Sequence, residues 1–269
     1  MLLTFTDAGR TYRFNAARPI EISIPLQFGG PQPHTYGVPP ATAQAYEQDG
    51  WVGDVRRGGS CNFERYTLVP HCNGTHTECV GHITAERVAV TQVLRETLVP
   101  GRLVTVRTEP AGVPDETTDP APKPADRLIT RRALQAAWGQ AFLQNEQALV
   151  IRTLPNTEEK LAADYGAFVP PYFTREAMEW VVAQRFTHLL VDVPSVDRLL
   201  DEGKLSTHRI FWQLPAGNSL AHAHRTEATI TEFIFVPPAV ADGLYVVQLQ
   251  IPPFVADAAP SRIFLYELA

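Results

Sequence analysis

Residues 71–82 read His-Cys-Asn-Gly-Thr-His-Thr-Glu-Cys-Val-Gly-His and hold three of the chain's eight histidines together with one carboxylate. A strand-like run, Arg65-Tyr66-Thr67-Leu68-Val69-Pro70, leads into them. His71, His76, Glu78 and His82 offer imidazole nitrogens and a carboxylate, which suit zinc, manganese or iron. Side chains alternate along an extended backbone, so His76 and Glu78, two apart, face the same side. Gly74 lets the chain turn sharply between His71 and His76. A surface turn that happens to be rich in histidine would show the same residue types. Their close packing beside Gly74-Thr75 favours a metal site with an acid/base histidine attached.

Working outward, residues 19–26 alternate apolar and polar and predict an early strand. Phe28 to His34 and Pro39-Pro40 predict a long loop, in which Tyr46 and Trp51 either line a pocket or pack the loop onto the body. Arg87 to Leu94 and Arg102 to Arg107 predict two strands around a Pro100-Gly101 turn. Residues 109–125 hold five prolines and several acids and predict a surface loop.

Thr130 is a candidate N-cap for a helix whose apolar face is Leu134, Ala137, Trp138, Ala141 and Phe142. Ala148 to Thr153 and Leu189 to Val193 predict buried strands, with a short helix over Thr157 to Ala163. Between the two strands Thr174 opens a second helix, with Glu176 in its first turn and Met178, Val181, Val182 and Phe186 on its core face. Thr229 to Val236, Leu244 to Ile251 and Arg262 to Leu268 return to strands. This order predicts a mixed α/β fold with a mixed central sheet, in one domain over residues 1–269.

The bulk numbers exclude several classes. A chain of 269 residues, 45% hydrophobic and 19% charged, can bury a real core and is not disordered. The net charge of -6 and the lack of a basic run leave no footprint for nucleic acid. No apolar run approaches the roughly 18 residues of a membrane span. Met1 to Asp7 has neither a basic start nor a long apolar core, so no secretory signal is expected. Three cysteines, Cys61, Cys72 and Cys79, without a disulfide pattern predict a cytoplasmic setting.

The central stretch resembles the cyclase family of metal-dependent hydrolases, best known through bacterial kynurenine formamidases. The family pattern is His-x-Gly-Thr-His-x-Asp-x-Pro-x-His, and Gly74-Thr75-His76-x-Glu78-x-x-x-His82 follows it in order and spacing. Leu149 to Thr153 resembles the family's apolar strand ending in Arg-Thr, and Asp192 to Asp197 its Asp-x-Pro-Ser-x-Asp signature. Thr207-His208-Arg209 and Ile230 to Ile234 resemble later segments. The resemblance implies a swivelling β/β/α domain. It also implies a one- or two-metal site with His71, His76, Glu78, His208 and Glu232 as ligands and His82 as catalytic acid/base. Zinc is the first expectation for the ion, manganese or iron the alternatives, and a homodimer or homotetramer the expected assembly.

Four departures stand out. Two residues, Cys72 and Asn73, separate His71 from Gly74 where the family has one. His71 therefore either reaches the metal through a bulged backbone or does not coordinate. Glu78 replaces Asp, Val80 replaces Pro, and the span from His208 to Glu232 is about twice the family's, with His222 and His224 in the added residues.

The implied reaction is hydrolysis of an amide, formamide or lactam bond in a small molecule. Metal lowers the pKa of bound water from 15.7 to about 7, and the hydroxide attacks the carbonyl carbon. His82 protonates the leaving amine. Two other readings stand beside it. One is a cysteine nucleophile, Cys72 or Cys79, next to a histidine. The other is a catalytically silent member that binds a metal or ligand without turnover.

Overall fold

The computed structural model describes residues 1–112, 115–138 and 146–269. Its centre is a nine-stranded mixed sheet. In spatial order the strands are Ala258–Pro260, His76–Cys79, Thr229–Glu232, His188–Val191, Ala148–Leu154, Leu98–Arg107, Gly243–Gln250, Arg262–Glu267 and Ile20–Glu21. The four strands from Thr229–Glu232 to Leu98–Arg107 run parallel, and every other neighbouring pair is antiparallel. Parallel neighbours need crossovers. Helices Arg131–Trp138, Arg175–Ala183 and Ser206–Phe211 lie in the three that link these four strands.

Burial on both faces explains why the central strands read as unbroken apolar runs. On one face Leu149, Ile151, Leu189, Val191 and Ile230 pack with Leu134, Trp138, Met178 and Val181 of the helices. On the other, Val150, Leu190, Leu103, Val247, Ile263 and Ile22 pack with one another. Those residues come from strands or strand-flanking turns and loops, so the sheet must curl over its own face. The curl closes where the chain leaves Ile20–Glu21: Ile22 N–H donates to Ile263, Phe235 N–H donates to Ile22, and Ser23 bridges Ile234.

Several elements follow the sequence reading. Thr130 and Thr174 accept hydrogen bonds from Ala133 N–H and Ala177 N–H, three residues on, as N-caps do. Ala141 and Phe142, expected on the face of the first helix, lie outside the described residues. The expected early strand is short, since Pro25 follows closely, but its alternation holds: Ile22 and Ile24 are both buried.

Two expectations are corrected. Residues 87–94 do not form a strand; Val90–Val93 is a single helical turn. Gln92 folds back to accept from Ala89 N–H, and Leu94 N–H closes on Val90, so Val90 and Leu94, four apart, are buried together. Pro100-Gly101 is not a turn but lies inside the strand Leu98–Arg107. Pro100 is tolerated because the Ala148–Leu154 strand begins only opposite Gly101, which leaves the proline flanked by one ladder. The stretch up to residue 62, read as loop, contains the strands Thr42–Ala45, Glu47–Gln48 and Trp51–Val52; the last two pair with each other, and Thr42–Ala45 pairs with Glu64–Thr67, which overlaps the run expected to be strand-like. There Tyr46 and Trp51 both pack on Phe63. An unexpected hairpin, Leu2–Asp7 with Arg10–Asn15, opens the chain. Among the described residues no helix is long and apolar enough to cross a membrane.

Gly101 sits where two neighbouring strands press close. A Cβ there would lie 2.5 Å from Val247 Cγ2 and 3.0 Å from Ala148 Cβ. Gly101→Ala is therefore expected to destabilise the fold by about 1–3 kcal/mol, the usual cost of overpacking, in urea titrations. A shift under about 0.5 kcal/mol, ordinary for a surface change, would contradict this packing.

Candidate metal centre

The strand His76–Cys79, next to the sheet edge and paired on both sides, places two side chains. In register, His76 stands opposite Glu232 and Glu78 opposite Ile230 on one side and Ala258 on the other. His76, Glu78 and Glu232 are thus brought together by strand pairing alone, at the carboxyl end of a parallel strand, where α/β sheets commonly bind ligands. His76 Nδ1–H donates to Gly74 O at 3.1 Å, which leaves the Nε2 lone pair free to face the cluster. This Nε2 is fully buried, has no hydrogen-bond partner, and lies 3.5 Å from Glu232 Oε2.

His71 joins them. The extra residue before Gly74 is taken up in a tight turn: Val69 O accepts from Cys72 and Asn73 N–H, and Asn73 Oδ1 accepts from Val69 N–H. Gly74 then reverses the chain at φ +79°. The turn carries His71 Nδ1 to 2.9 Å from Glu78 Oε2, while its Nε2–H donates to Asp257 Oδ2 at 2.7 Å.

The far half of the chain supplies the other wall. Asp197 caps the helix Ser206–Phe211, accepting from Thr207 and His208 N–H, and also accepts from His208 Nδ1–H at 2.6 Å. One carboxylate thereby fixes both the helix start and the imidazole, whose Nε2 points at Glu78 Oε1, 3.0 Å away. Glu232 Oε1 is anchored by Val196 N–H at 2.8 Å. Asp192, from the same signature, is occupied elsewhere, holding Thr153 and Lys160. His82 ends the short turn Val80–His82, stacks on His71 at 4.1 Å between centroids, and sets its Nε2 3.8 Å from Glu78 Oε2.

Glu78 is therefore a buried carboxylate ringed by imidazoles. Burial alone would raise its pKa, but His82, His208 and His71 together hold it well below the usual range. Burial likewise works against charge on His71 and His208, yet the carboxylates on each prevail. His71 is pushed up to about 10 by Asp257 and Glu78, and His208 is raised well above its ordinary value by Asp197 and Glu78. The protons on His71 Nδ1 and His208 Nε2 stand where a divalent cation would draw on the same nitrogens. Three donor sets have ligand atoms all within 4.8 Å of one another: His71, His76 and Glu78; Glu78, His82 and His208; and His71, His82 and Asp257. Nitrogen and carboxylate donors, an orphaned buried Nε2 and a buried anion fit a divalent ion.

All six site residues read from the sequence meet in this cluster. His222 and His224 do not: both are exposed, in a segment tied to the body through Arg209, Glu86 and Arg225. Cys72 and Cys79 are buried, and burial raises both thiols, Cys79 to about 12, which opposes a nucleophilic role. Sequence reasoning missed Asp257 and the task of Asp197. The second was recoverable from the signature that contains it; no spacing tied Asp257 to the cluster.

A family model described as "Putative cyclase" matches residues 20–198. No curated protein sequence matches the chain. Among solved structures, an isatin hydrolase bound to the product analogue thioisatinate superposes with a TM-score of 0.61 at 14% identity, covering 94% of this chain and 93% of its own. Isatin hydrolase A from Labrenzia aggregata gives 0.60 at 13%, covering 94% of each chain. A "predicted metal-dependent hydrolase" from Bacillus stearothermophilus gives 0.57 at 16%, covering 93% of this chain and 98% of its own. At these identities the likeness is one of fold.

The raised pKa of His71 makes a signed prediction. Its folded value of about 10 exceeds the ordinary 6.5, so without metal its ion pairs stabilise the fold fully below about pH 6.5 and are lost as pH rises through 10. A cation must displace that proton. Zinc or manganese association is expected to tighten as pH rises over this window, with protons released. Calorimetry in buffers of differing ionisation enthalpy reads both; pH-independent binding without proton release would refute the arrangement.

Proposed function

The chain belongs to the cyclase family, and from that premise we propose that it is a metal-dependent hydrolase cleaving a carbon–nitrogen bond in a small amide, formamide or lactam. The observation that carries this reading is the convergence of two distant segments on the buried Glu78 carboxylate, with His76 Nε2 unpaired beside it and 3.5 Å from Glu232. Hydrolase neighbours of the same fold support it.

His71, His76 and Glu78 would hold a divalent ion from the near side, His208 and Glu232 from the far side. Such an ion supplies Lewis-acid polarisation of a carbonyl and lowers the pKa of a water from 15.7 to about 7. Zinc is the proposed ion, with manganese or iron as alternatives, because imidazole and carboxylate donors suit all three. Asp197 locks the His208 ring, and Val196 N–H locks Glu232, so neither has to reorganise during the reaction. His82 stands at the open edge of the cluster, its side chain about a quarter exposed, where it can meet a substrate. It gives a proton to the leaving nitrogen.

An arylformamidase-like substrate fits the surroundings. Phe233 packs between His76 and Tyr165, and Tyr165 also lines, with Tyr36, Phe168 and Leu199, a neighbouring cleft of about 620 Å³ whose walls include none of the six site residues. An aromatic amide of drug size or less suits such a cleft. The homodimer or homotetramer implied by the family is part of the same proposal.

Elemental analysis followed by a screen of formyl-amides, lactams and lactones, with and without chelator, tests the reading. Turnover that is lost on chelation and restored by the ion is expected. Metal present without turnover on any substrate would instead make the protein a binding module. In the active protein His82→Ala is expected to lower kcat about 10²- to 10⁴-fold with metal content unchanged. Hydrolysis at the parent rate would remove His82 from the reaction.

A further inference from the structure

Asp257 lies beyond residues 20–198 and has no part in the site described so far except to touch it. Its backbone is fixed beside Glu78. Cys79 N–H donates to Asp257 O at 3.0 Å, and the strand that Asp257 opens pairs Ala258 with Glu78 and Pro260 with His76. Gly81, next to His82, makes the close approach feasible: a Cβ there would stand 3.2 Å from Asp257 Cβ and 2.4 Å from Val88 O. From this position a single oxygen, Oδ2, faces two imidazoles. It is 2.7 Å from His71 Nε2 and 3.6 Å from His82 Nδ1.

The geometry points to Asp257 as the positioning residue that sets the tautomer and ring orientation of His71 and, through the ring stacked on it, the orientation of His82. When an ion displaces the proton on Nδ1 that faces Glu78, the one proton left on His71 sits on Nε2, where the accept-only carboxylate of Asp257 holds it and leaves the Nδ1 lone pair to the ion. At 3.6 Å the same oxygen stands outside hydrogen-bond range of His82 Nδ1, so Asp257 acts on that ring through its charge and through the 4.1 Å stack that keeps the two rings in step. Carboxylates behind metal-bound histidines fix orientation and raise ligand basicity in this way. His71, His82 and Asp257 also form a donor set of their own, but His71 already directs Nδ1 to Glu78, which leaves Nε2 to the carboxylate.

This inference rests on the metal-site reading above, and its test needs no substrate. Zinc affinity is measured by competition with a chromogenic chelator for the parent, Asp257→Ala and Asp257→Asn. Circular dichroism and thermal unfolding report the fold. The alanine variant is expected to bind zinc about 10- to 100-fold more weakly. Asp257→Asn, nearly isosteric, is expected to fold as the parent does, to lie between the two, and to decide the matter if the alanine variant unfolds. Long-range ¹H–¹⁵N spectra of the zinc-loaded parent should show His71 protonated at Nε2, and the alanine variant should lose that signature. Unchanged affinity in a folded variant overturns the assignment while leaving the metal site intact, as does a zinc-bound Nε2 on His71. A parent that binds no divalent ion overturns both readings.

Discussion

The structure turns on a fully buried carboxylate, Glu78. A bare carboxylate in an apolar interior costs several kcal/mol even after relaxation, and only close opposite charge offsets it. Glu78 meets this requirement with three imidazoles, brought from residues 71, 82 and 208. Each imidazole near a second acid then has its own constraint. His71 leans on Asp257 and His208 on Asp197, so charge alternates outward from the centre to the surface of the site. Removing one member leaves a buried charge uncompensated, which makes the cluster a unit.

The sheet exists in the form needed to serve that unit. Parallel strands deliver their carboxyl ends to one side, and Glu232 is the last residue of one of them. The antiparallel strand His76–Cys79 brings His76 into register with it, and the edge strand Ala258–Pro260 carries Asp257 against the other flank. Thr75 ties these parts together: its hydroxyl donates to Phe233 O and accepts from Ile24 N–H, linking the site's entry to the closure of the curl. The same packing that buries Ile22 and Ile234 therefore also fixes the turn from which His76 departs.

Much of this was legible because it is local. The N-caps Thr130 and Thr174, the fully buried strands, and the shared face of His76 and Glu78 follow from rules spanning four residues or fewer. Joining the near half to His208 and Glu232 required a family resemblance, since no periodicity connects residues more than a hundred apart. Residues 87–94 failed because Val88, Val90 and Leu94 satisfy period two and period four together, and a side-chain hydrogen bond from Gln92 decided between them. Pro100-Gly101 failed because a turn dipeptide is also what a strand uses where one neighbour is missing and the other presses close. Asp257 was invisible: its importance comes from a ladder formed with residues nearly 180 positions earlier.

The departures from the family pattern bear on one another. Glutamate in place of aspartate moves the carboxylate one methylene further from its strand. The additional residue between His71 and Gly74 lengthens the turn that leads into the same strand. Together they leave His71 Nδ1 2.9 Å from Glu78 Oε2, with the extra residue absorbed by hydrogen bonds to Val69 rather than by strain. The longer arm and the longer turn thus meet at one contact, and shortening Glu78 to aspartate would withdraw the carboxylate from an imidazole that offsets its burial.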